Sequence, residues 1–284
     1  MKTLILCGAF MVALAALAPA PASAVELERV SFPSANKDAT AIEGYVMRPP
    51  GDGPFPAIVA LHGCGGLWGR SAGELSKRHA DWGERLVQAG YLVLFPDSFN
   101  PRGVTSVCNA TNRVVAPSGR AFDALGAAQW LATQSFVDKD RIGALGWSNG
   151  GSTVLHLVAR KNAKPAFVAA VAFYPGCRVL LERRQWEPRI PLLIQIGEAD
   201  DWTPAAPCKE LAGKSKDARI ELYPDAYHDF DAPDTPVRER HGVAFSASGT
   251  GIVHVGTNEP ARRAAIDSTM KFFAEQLRAE KRSQ

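Results

Sequence analysis

The chain has 284 residues, and 32 Lys and Arg against 29 Asp and Glu give it a formal net charge of +3 at pH 7. Charged residues make up 21% of the chain, their signs are mixed and no basic run occurs, which argues against a nucleic-acid partner. A hydrophobic content of 46% argues against a disordered chain and is sufficient for a large core.

The first 24 residues have the organisation of a secretory signal peptide. Lys2 is followed by an uncharged stretch over 4–17, and a Pro- and Ala-rich run ends in Ala22-Ser23-Ala24. The apolar stretch is shorter than the roughly 20 residues that span a membrane. We therefore predict cleavage after Ala24, export to the periplasm or the medium, and a single domain over 25–284 with no membrane span.

The cysteine count fits an oxidising compartment. Cys7 would leave with the signal peptide, and an even number of cysteines in an exported chain indicates disulfides. None of the remaining four has another cysteine at the short spacing that zinc ligands show, so we predict two structural bridges and no metal site. The four are Cys64, Cys108, Cys177 and Cys208.

The order of elements predicts the fold class. Two alternating segments, 25–32 and 41–47, predict an antiparallel pair at a sheet edge. The later strands are short apolar runs without alternation, the pattern of strands that helices cover on both faces. These runs are 57–61, 91–95, 142–146, 167–173, 192–196 and 219–223. The helical windows are 72–89, 120–133, 149–161, 204–213 and 259–278. Such alternation predicts an α/β domain with a doubly wound, mostly parallel sheet of about eight strands flanked by helices.

A G-x-S-x-G sequence, Gly146-Trp147-Ser148-Asn149-Gly150, lies where the predicted strand 142–146 meets the helix 149–161. The five residues alone are a weak signal, since a Gly-rich turn between a strand and a helix can be purely structural. Here the strand, the turn and the helix supply the context of a nucleophile elbow, a tight turn that exposes the serine hydroxyl. Ser148 is the predicted nucleophile.

A serine nucleophile needs a histidine to take its proton and a carboxylate to orient that histidine. In this architecture the chain order is serine, acid, histidine. Asp200 and His228 follow the last two predicted strands, at the sheet end where loops converge. Asp201 and Glu198 remain alternatives for the acid. The other histidines lack this combination of order and position; they are His62, His79, His156, His241 and His254.

Acyl transfer also needs two donors for the developing oxyanion. One is expected from the backbone N–H of Asn149, the residue after the nucleophile. The other is expected from the Gly-rich loop 62–66 after the strand 57–61, because glycines let the backbone approach a substrate closely. We assign this second donor to Cys64, with Gly63 as the alternative.

The same loop has a second interpretation, as a dinucleotide-binding turn. Gly63, Gly65 and Gly69 approach the Rossmann fingerprint, but Trp68 stands where its third glycine belongs. The acidic residue expected at the end of the next strand is also missing at the required distance, since Asp97 comes later. A dehydrogenase is therefore disfavoured, and no cofactor is predicted.

Taken together, the motifs show a family resemblance. They are Leu61-His62-Gly63-Cys64-Gly65-Gly66, Phe95-Pro96-Asp97-Ser98-Phe99, Gly146-Trp147-Ser148-Asn149-Gly150, Tyr174-Pro175-Gly176-Cys177, 197–204 and His228-Asp229-Phe230. The series resembles the dienelactone hydrolase family of α/β-hydrolases over nearly the whole mature chain. That resemblance implies one α/β-hydrolase domain and metal-free hydrolysis of esters or lactones through an acyl-enzyme. It favours Asp200 over Asp201, because the family's acid precedes a proline by four positions, here Pro204.

The resemblance also points to residues that bind substrate. Arg102 resembles an arginine that contacts the substrate carboxylate in the founding enzymes. Those enzymes have cysteine where this chain has Ser148, a glutamate near the position of His62, and a second arginine at the position of Ala232. A serine esterase acting on something other than dienelactone is the resulting expectation. Three tryptophans beside the motifs are further candidates for substrate contact: Trp68, Trp147 and Trp202.

The order of the loops predicts how the four cysteines pair. Cys177 ends the loop after the strand 167–173, and Cys208 begins the helix after the next strand, so both lie at one edge of neighbouring strands. Cys64 and Cys108 occupy the loops after two earlier strands by the same logic. The predicted bridges are therefore Cys177 to Cys208 and Cys64 to Cys108, one of three possible pairings.

The segment 229–258 is about 30 residues long and has no apolar period, which is unusual for a connection in a compact domain. Because it leaves directly from His228, we predict that it covers the active site, with a solvated surface loop as the alternative.

The leading hypothesis is an exported serine hydrolase of carboxylic esters or lactones, with a small-molecule substrate as its partner. A serine peptidase or amidase on the same fold, and a non-catalytic binding module, are the alternatives.

Overall fold

The computed structural model describes residues 27–71, 73–182 and 186–278. The predicted signal peptide at 1–24, with Cys7, and the predicted strand start at 25–26 lie outside the described residues.

An eight-stranded sheet forms the centre of the molecule. Its strands are β1 Leu27–Pro33, β2 Ala41–Met47, β3 Phe55–Leu61, β4 Leu92–Asp97, β5 Val137–Trp147, β6 Ala169–Phe173, β7 Leu192–Gly197 and β8 Ala218–Tyr223. Their order across the sheet is β1-β2-β4-β3-β5-β6-β7-β8. The pairs β1–β2 and β2–β4 are antiparallel, and all other pairs are parallel. The predicted doubly wound, mostly parallel sheet with an antiparallel edge is confirmed.

Helices flank this sheet. They are α1 Lys77–Gln88, α2 Pro117–Ala132, α3 Asn149–Val158, α6 Ala205–Ala212 and α7 Glu259–Gln276, with single turns α4 Ala163–Ala166 and α5 Arg178–Leu181 and a 3₁₀ turn at Asn100–Arg102. Every residue of β4, β6 and β7 is buried, which is the physical reason that these strands read as continuous apolar runs. The carboxyl ends of the parallel strands meet at one edge, and the long loops gather there.

Two helices begin at positions that differ from the predicted windows. The window 72–89 was too long, because Gly69 N–H bonds to the carbonyl of Glu74 in a turn and Ser76 caps α1 by accepting from the N–H of His79. The window that opened at 120 was too short, because Pro117 supplies a first helical residue with a suitable φ and no N–H to satisfy.

The segment 229–258, which we call the cover, contains a short hairpin that its sequence did not predict. Its strands, β9 Arg238–Arg240 and β10 Val253–Val255, pair antiparallel. The cover places valines into a small apolar cluster that is separate from the main core. That cluster comprises Cys64, Phe99, Val107, Cys108, Val115, Trp202, Val243, Val253 and Val255. The cover is therefore packed onto the loops at the carboxyl edge of the sheet.

Two disulfides join segments at this edge of the sheet, with the pairings that the loop order predicts. Cys64 is bonded to Cys108 with 4.9 Å between their Cα atoms, and Cys177 is bonded to Cys208 with 5.1 Å. Disulfides are rare in reducing compartments, so the two bridges indicate an extracellular or periplasmic location. Among the helices of the described ranges, none is long and apolar enough to cross a bilayer.

The packing around the elbow yields a prediction about Gly150. A Cβ atom there would lie 1.9 Å from the carbonyl oxygen of Leu61, because α3 starts directly against the end of β3. We expect Gly150→Ala to destabilise the protein by about 3 kcal/mol or more, which lowers Tm by roughly 6–12 °C. The matched control is Gly213→Ala, where the added Cβ meets its nearest neighbour at 3.4 Å and φ is −62°, so the stability should change by less than about 1 kcal/mol. Equal melting temperatures for the two variants, measured by calorimetry, would contradict this account.

Candidate active site

Ser148 occupies a sharp turn between β5 and α3. Its φ of 53° and ψ of −112° are unusual for a residue with a side chain, and its N–H donates to the carbonyl of Phe173 at 2.9 Å. The neighbouring glycines are required by space, since a Cβ on Gly146 would lie 2.4 Å from the carbonyl oxygen of Gly150. The strained turn holds the serine hydroxyl at the carboxyl edge of the sheet, as in a nucleophile elbow.

The hydroxyl of Ser148 contacts an imidazole, and the imidazole in turn contacts a carboxylate. Its Oγ lies 2.9 Å from Nε2 of His228, and Nδ1 of His228 lies 2.8 Å from Oδ2 of Asp200. Asp200 follows β7 and His228 follows β8, so the three groups come from three loops at one sheet edge. The structure brings together the three predicted catalytic residues in the geometry of a catalytic triad.

The carboxylate of Asp200 is fixed by its own turn. Its Oδ1 accepts the backbone N–H groups of Trp202 at 2.9 Å and Thr203 at 2.8 Å, which leaves Oδ2 for the imidazole. The hydroxyl of Thr203 also lies 3.0 Å from Oδ2 and 3.1 Å from Nδ1 of His228. Sequence reasoning missed Thr203, although the Asp-x-x-Thr spacing at a turn is a signal for such a side-chain cap.

Asp201 is turned toward the cover instead. Its Oδ1 accepts the backbone N–H of His254 at 2.9 Å, and its Oδ2 lies 2.8 Å from Nδ1 of the same residue. The carbonyl of Asp201 also accepts the N–H of Ala247. The two adjacent aspartates thus have different partners. Asp200 contacts the imidazole of His228, and Asp201 binds His254 of the cover.

His228 is buried between two aromatic rings. The ring centroids of Tyr174 and Trp202 lie 4.5 Å and 4.7 Å from that of the imidazole. Burial opposes the charged imidazolium, but the charge and hydrogen bond of Asp200 outweigh it, and the pKa of His228 is raised above its ordinary value. The imidazole is therefore a stronger base than a free histidine.

The other buried histidines near the site have the opposite character. Burial lowers the pKa of His62 well below its ordinary value and that of His79 to about 3, so both are neutral. His62 bridges two loops, with Nδ1 2.8 Å from the carbonyl of Gly63 and Nε2 accepting the N–H of Ser98 at 3.2 Å. These imidazoles hold the loops in place and are not placed to accept the proton of Ser148.

The loop with the predicted second oxyanion donor is held against the elbow. A Cβ on Gly63 would lie 3.7 Å from the Cβ of Ser148, and Cys64 lines a cavity together with Ser148 and Asn149. The carbonyl of Cys64 accepts the N–H of Val107 at 2.8 Å, and its sulfur is bonded to Cys108. Cys64 and Asn149 thus line the same cavity as Ser148.

Ser148 lies at the junction of two cavities. The large cavity has a volume of about 570 Å³ and includes Asn149, Val179 and Phe245 in its lining. The small cavity has a volume of about 190 Å³ and is lined by His228, with Trp68 and Arg240. Ser148, Cys64 and Trp202 line both. The structure thus brings Trp68 and Trp202, two of the predicted substrate contacts, to the site.

Arg102 and Trp147 are not brought to either cavity. The guanidinium of Arg102 makes two hydrogen bonds to the buried carboxylate of Asp123, at 2.8 and 2.9 Å, and a third to the carbonyl of Ser98 at 2.7 Å. These partners occupy the fork that would bind a substrate carboxylate. Trp147 is fully buried beneath the elbow. Both side chains stabilise the fold, whereas the sequence predicted that they contact the substrate.

The buried carboxylate of Asp231 is a hydrogen-bonding hub beneath the site, which sequence reasoning missed. Its Oδ2 accepts the indole N–H groups of Trp82 at 2.8 Å and Trp147 at 2.9 Å. Its Oδ1 accepts the hydroxyl of Tyr174 at 2.5 Å and lies 3.3 Å from the guanidinium of Arg78. Burial raises the pKa of Tyr174 well above its ordinary value, so the phenol stays a donor. Trp147 precedes the elbow serine, and Tyr174 contacts the imidazole, so this hub supports both.

No metal site is found within the described ranges, where no three His, Cys, Asp or Glu side chains are grouped so that they could hold an ion.

Known proteins resemble this chain in sequence and in fold. A model of the dienelactone hydrolase family matches residues 42–277. The chain belongs to the dienelactone hydrolase family. Its fold is the α/β-hydrolase fold, and it is a carboxylic ester hydrolase of the dienelactone hydrolase type.

Individual relatives are distant. A probable 2-oxo-3-(5-oxofuran-2-ylidene)propanoate lactonase from Bradyrhizobium is 25% identical over 205 residues, which cover 66% of this chain and 77% of that protein. A dienelactone hydrolase from Anabaena variabilis is similar in structure, with a TM-score of 0.63, 18% identity and coverage of 89% of this chain and 99% of that one. Dipeptidyl peptidase 4 from Porphyromonas gingivalis has a TM-score of 0.61 at 18% identity, over 89% of this chain and 36% of its own.

The two aspartates make a matched pair for mutation. Asp200→Asn keeps the shape but removes the charge that faces His228 and favours the wrong tautomer of the imidazole, so we expect kcat to fall about 10⁴-fold. Asp201→Asn alters only the contact with His254, and we expect a change in kcat of less than about tenfold. Steady-state kinetics on one soluble ester measures both, and comparable losses, or a larger loss at Asp201, would refute the choice of acid.

Proposed function

We propose that this protein is an exported serine hydrolase that cleaves carboxylic esters or lactones through a covalent acyl-enzyme. In this proposal Ser148 is the nucleophile, His228 the general base and acid, and Asp200 the residue that orients the imidazole. The observation that carries the proposal is the aligned pair of short contacts, 2.9 Å from Ser148 to His228 and 2.8 Å from His228 to Asp200.

Acylation follows from these contacts. His228 takes the proton of Ser148 as Oγ attacks the ester carbonyl carbon, and the neighbouring carboxylate of Asp200 stabilises the imidazolium that forms. The carbonyl oxygen becomes an oxyanion, for which the N–H groups of Asn149 and Cys64 are the proposed donors. His228 then gives its proton to the departing alcohol oxygen, and the acyl group stays on Ser148.

Deacylation repeats the same proton path with water. His228 removes a proton from a water molecule as its oxygen attacks the acyl carbon, and it returns the proton to Oγ of Ser148 as the carboxylic acid leaves. Family membership and the lactonase name of the Bradyrhizobium relative support an ester or lactone as the substrate.

We also propose export through cleavage after Ala24. The leader-like composition of residues 1–24 and the two disulfides support it, since both bridges require an oxidising compartment to persist. Amino-terminal sequencing of the protein recovered from the periplasm or the medium tests the proposal, and a chain that retains Met1 in the cytoplasm would overturn it.

Replacing Ser148 by Ala tests the nucleophile. We expect kcat to fall by at least about 10³-fold with an unchanged melting temperature, because the lost hydroxyl leaves little cavity on the turn. An organophosphonate should label the wild-type protein at Ser148 and leave the variant unlabelled, as intact-protein mass spectrometry will show. Substantial turnover by the variant would contradict the assignment, and a wild-type protein that the reagent does not label would favour a binding module.

The raised pKa of His228 predicts the pH dependence. The imidazole must be neutral to accept a proton, so activity is lost as the pH falls through this pKa. We expect the acidic limb of the kcat/KM profile to have its midpoint above the ordinary histidine value of about 6.5. Asp200→Asn removes the neighbouring charge and should move the midpoint to lower pH, whereas Asp201→Asn should leave it in place. A wild-type midpoint at or below 6.5 would argue against this electrostatic account.

A further inference from the structure

We propose that the two cavities beside Ser148 divide the substrate: the large cavity takes an extended apolar acyl group, and the small cavity takes a short alcohol that carries hydroxyl groups. The proposal rests on the proposed function of Ser148 and names the substrate class of that site. It makes the protein a hydrolase of long-chain esters of small polyols.

The leaving group must depart on the side of the imidazole. When the tetrahedral intermediate collapses, the bond between the carbonyl carbon and the alcohol oxygen breaks, and that oxygen receives its proton from Nε2 of His228. The alcohol must therefore lie beside the imidazole. His228 lines the small cavity, and it is not among the described residues that line the large one.

The acyl group takes the one direction that the other groups leave open. Around the carbonyl carbon, one direction is taken by Oγ of Ser148, one by the leaving oxygen at His228 and one by the oxyanion beside Asn149 and Cys64. The substituent that remains is the acyl chain, and the space that remains is the large cavity. Its volume of about 570 Å³, three times the 190 Å³ of the small cavity, suits the longer part of the substrate.

The lining of the large cavity is suited to an apolar chain. Val179 and the cover residue Phe245 lie at its wall while remaining 60% and 61% exposed, and Pro117 and Pro207 contribute further apolar surface. Arg113 stacks its guanidinium over the ring of Phe245 at 4.9 Å, which holds the ring in place. Arg113 and Arg178 add two cationic groups to the lining, and none of the described lining residues is acidic.

The lining of the small cavity is suited to hydroxyl groups. Arg240 supplies a guanidinium that is stacked over Trp202 at 5.1 Å, and no carboxylate of the described residues lies within salt-bridge distance of it. Asp229 supplies a carboxylate that is ionised and held by Arg78 at 2.6 Å. A hydroxyl group of the substrate can accept a hydrogen bond from the guanidinium of Arg240 and donate one to the carboxylate of Asp229. An alkyl group of the same size can do neither.

Four esters test the division, because they vary each part of the substrate separately: propyl acetate, propyl octanoate, glyceryl monoacetate and glyceryl monooctanoate. Propyl and glyceryl groups have the same carbon chain and differ by two hydroxyls. We expect kcat/KM to be about tenfold higher for glyceryl than for propyl esters of the same acid. We expect octanoates to be preferred over acetates of the same alcohol by a similar or larger factor.

Two variants in the cover then assign each preference to a cavity. Arg240→Met keeps a long side chain over Trp202 but removes the donors, and it should reduce the glyceryl-to-propyl ratio about tenfold without changing the octanoate-to-acetate ratio. Phe245→Ala should reduce the octanoate-to-acetate ratio about fivefold without changing the alcohol ratio. Val237→Ala is the matched control, since Val237 is a half-exposed residue of the same segment that lines neither cavity, and both ratios should keep their wild-type values.

The outcomes separate this proposal from the function on which it rests. If Arg240→Met changes the acyl ratio, if Phe245→Ala changes the alcohol ratio, or if neither variant changes any ratio, the division is overturned, while labelling of Ser148 by an organophosphonate still supports the serine hydrolase. If Ser148 is not labelled and Ser148→Ala keeps its activity on all four esters, the proposed function itself fails. Melting temperatures of both variants within a few degrees of wild type show that the ratios report on the cavities.

Discussion

The geometry of the site depends on one buried carboxylate, that of Asp231. It accepts hydrogen bonds from two indoles and a phenol, so it joins the helix α1, the elbow strand β5 and the loop after β6 at one point. Removing the carboxylate would leave these donors without a partner in the core, at a cost of about 1–3 kcal/mol for each. Because Trp147 directly precedes Ser148, a shift of the elbow would break the hydrogen bond between the Trp147 indole and Asp231.

The same hub keeps the charges near the imidazole in balance. Arg78 lies against both Asp229 and Asp231, so the cation that would otherwise oppose a protonated His228 is paired with two carboxylates. Asp200 can then dominate the local field and raise the pKa of the imidazole. The pKa of His228 therefore depends on residues outside the proposed triad as well as on Asp200.

Much of the fold and of the candidate site could be predicted from the sequence, because both depend on local pattern and chain order. Buried parallel strands are continuous apolar runs, and the order of Ser148, Asp200 and His228 follows from the order of the strands that precede them. Long-range partners were not predictable in this way. The role of Arg102 depends on Asp123, and that of Trp147 on Asp231, and nothing in the spacing of either pair shows that the fold brings them together. The hairpin of the cover has strands of three residues, too short to show a period.

The two disulfides have a consequence for how the large cavity receives its ligand. Cys64 lies on one part of its wall and Cys177 on another; the first is bonded to Cys108 in a neighbouring loop and the second to Cys208 in α6, so these parts of the wall are fixed by covalent bonds. Segments that are already ordered lose little further conformational entropy when a ligand binds. In this protein, the two disulfides order these parts of the wall once, when they form. Little of this conformational entropy is then lost again at each turnover. The cover contributes Phe245 to the same wall, and noncovalent contacts alone join it to these segments.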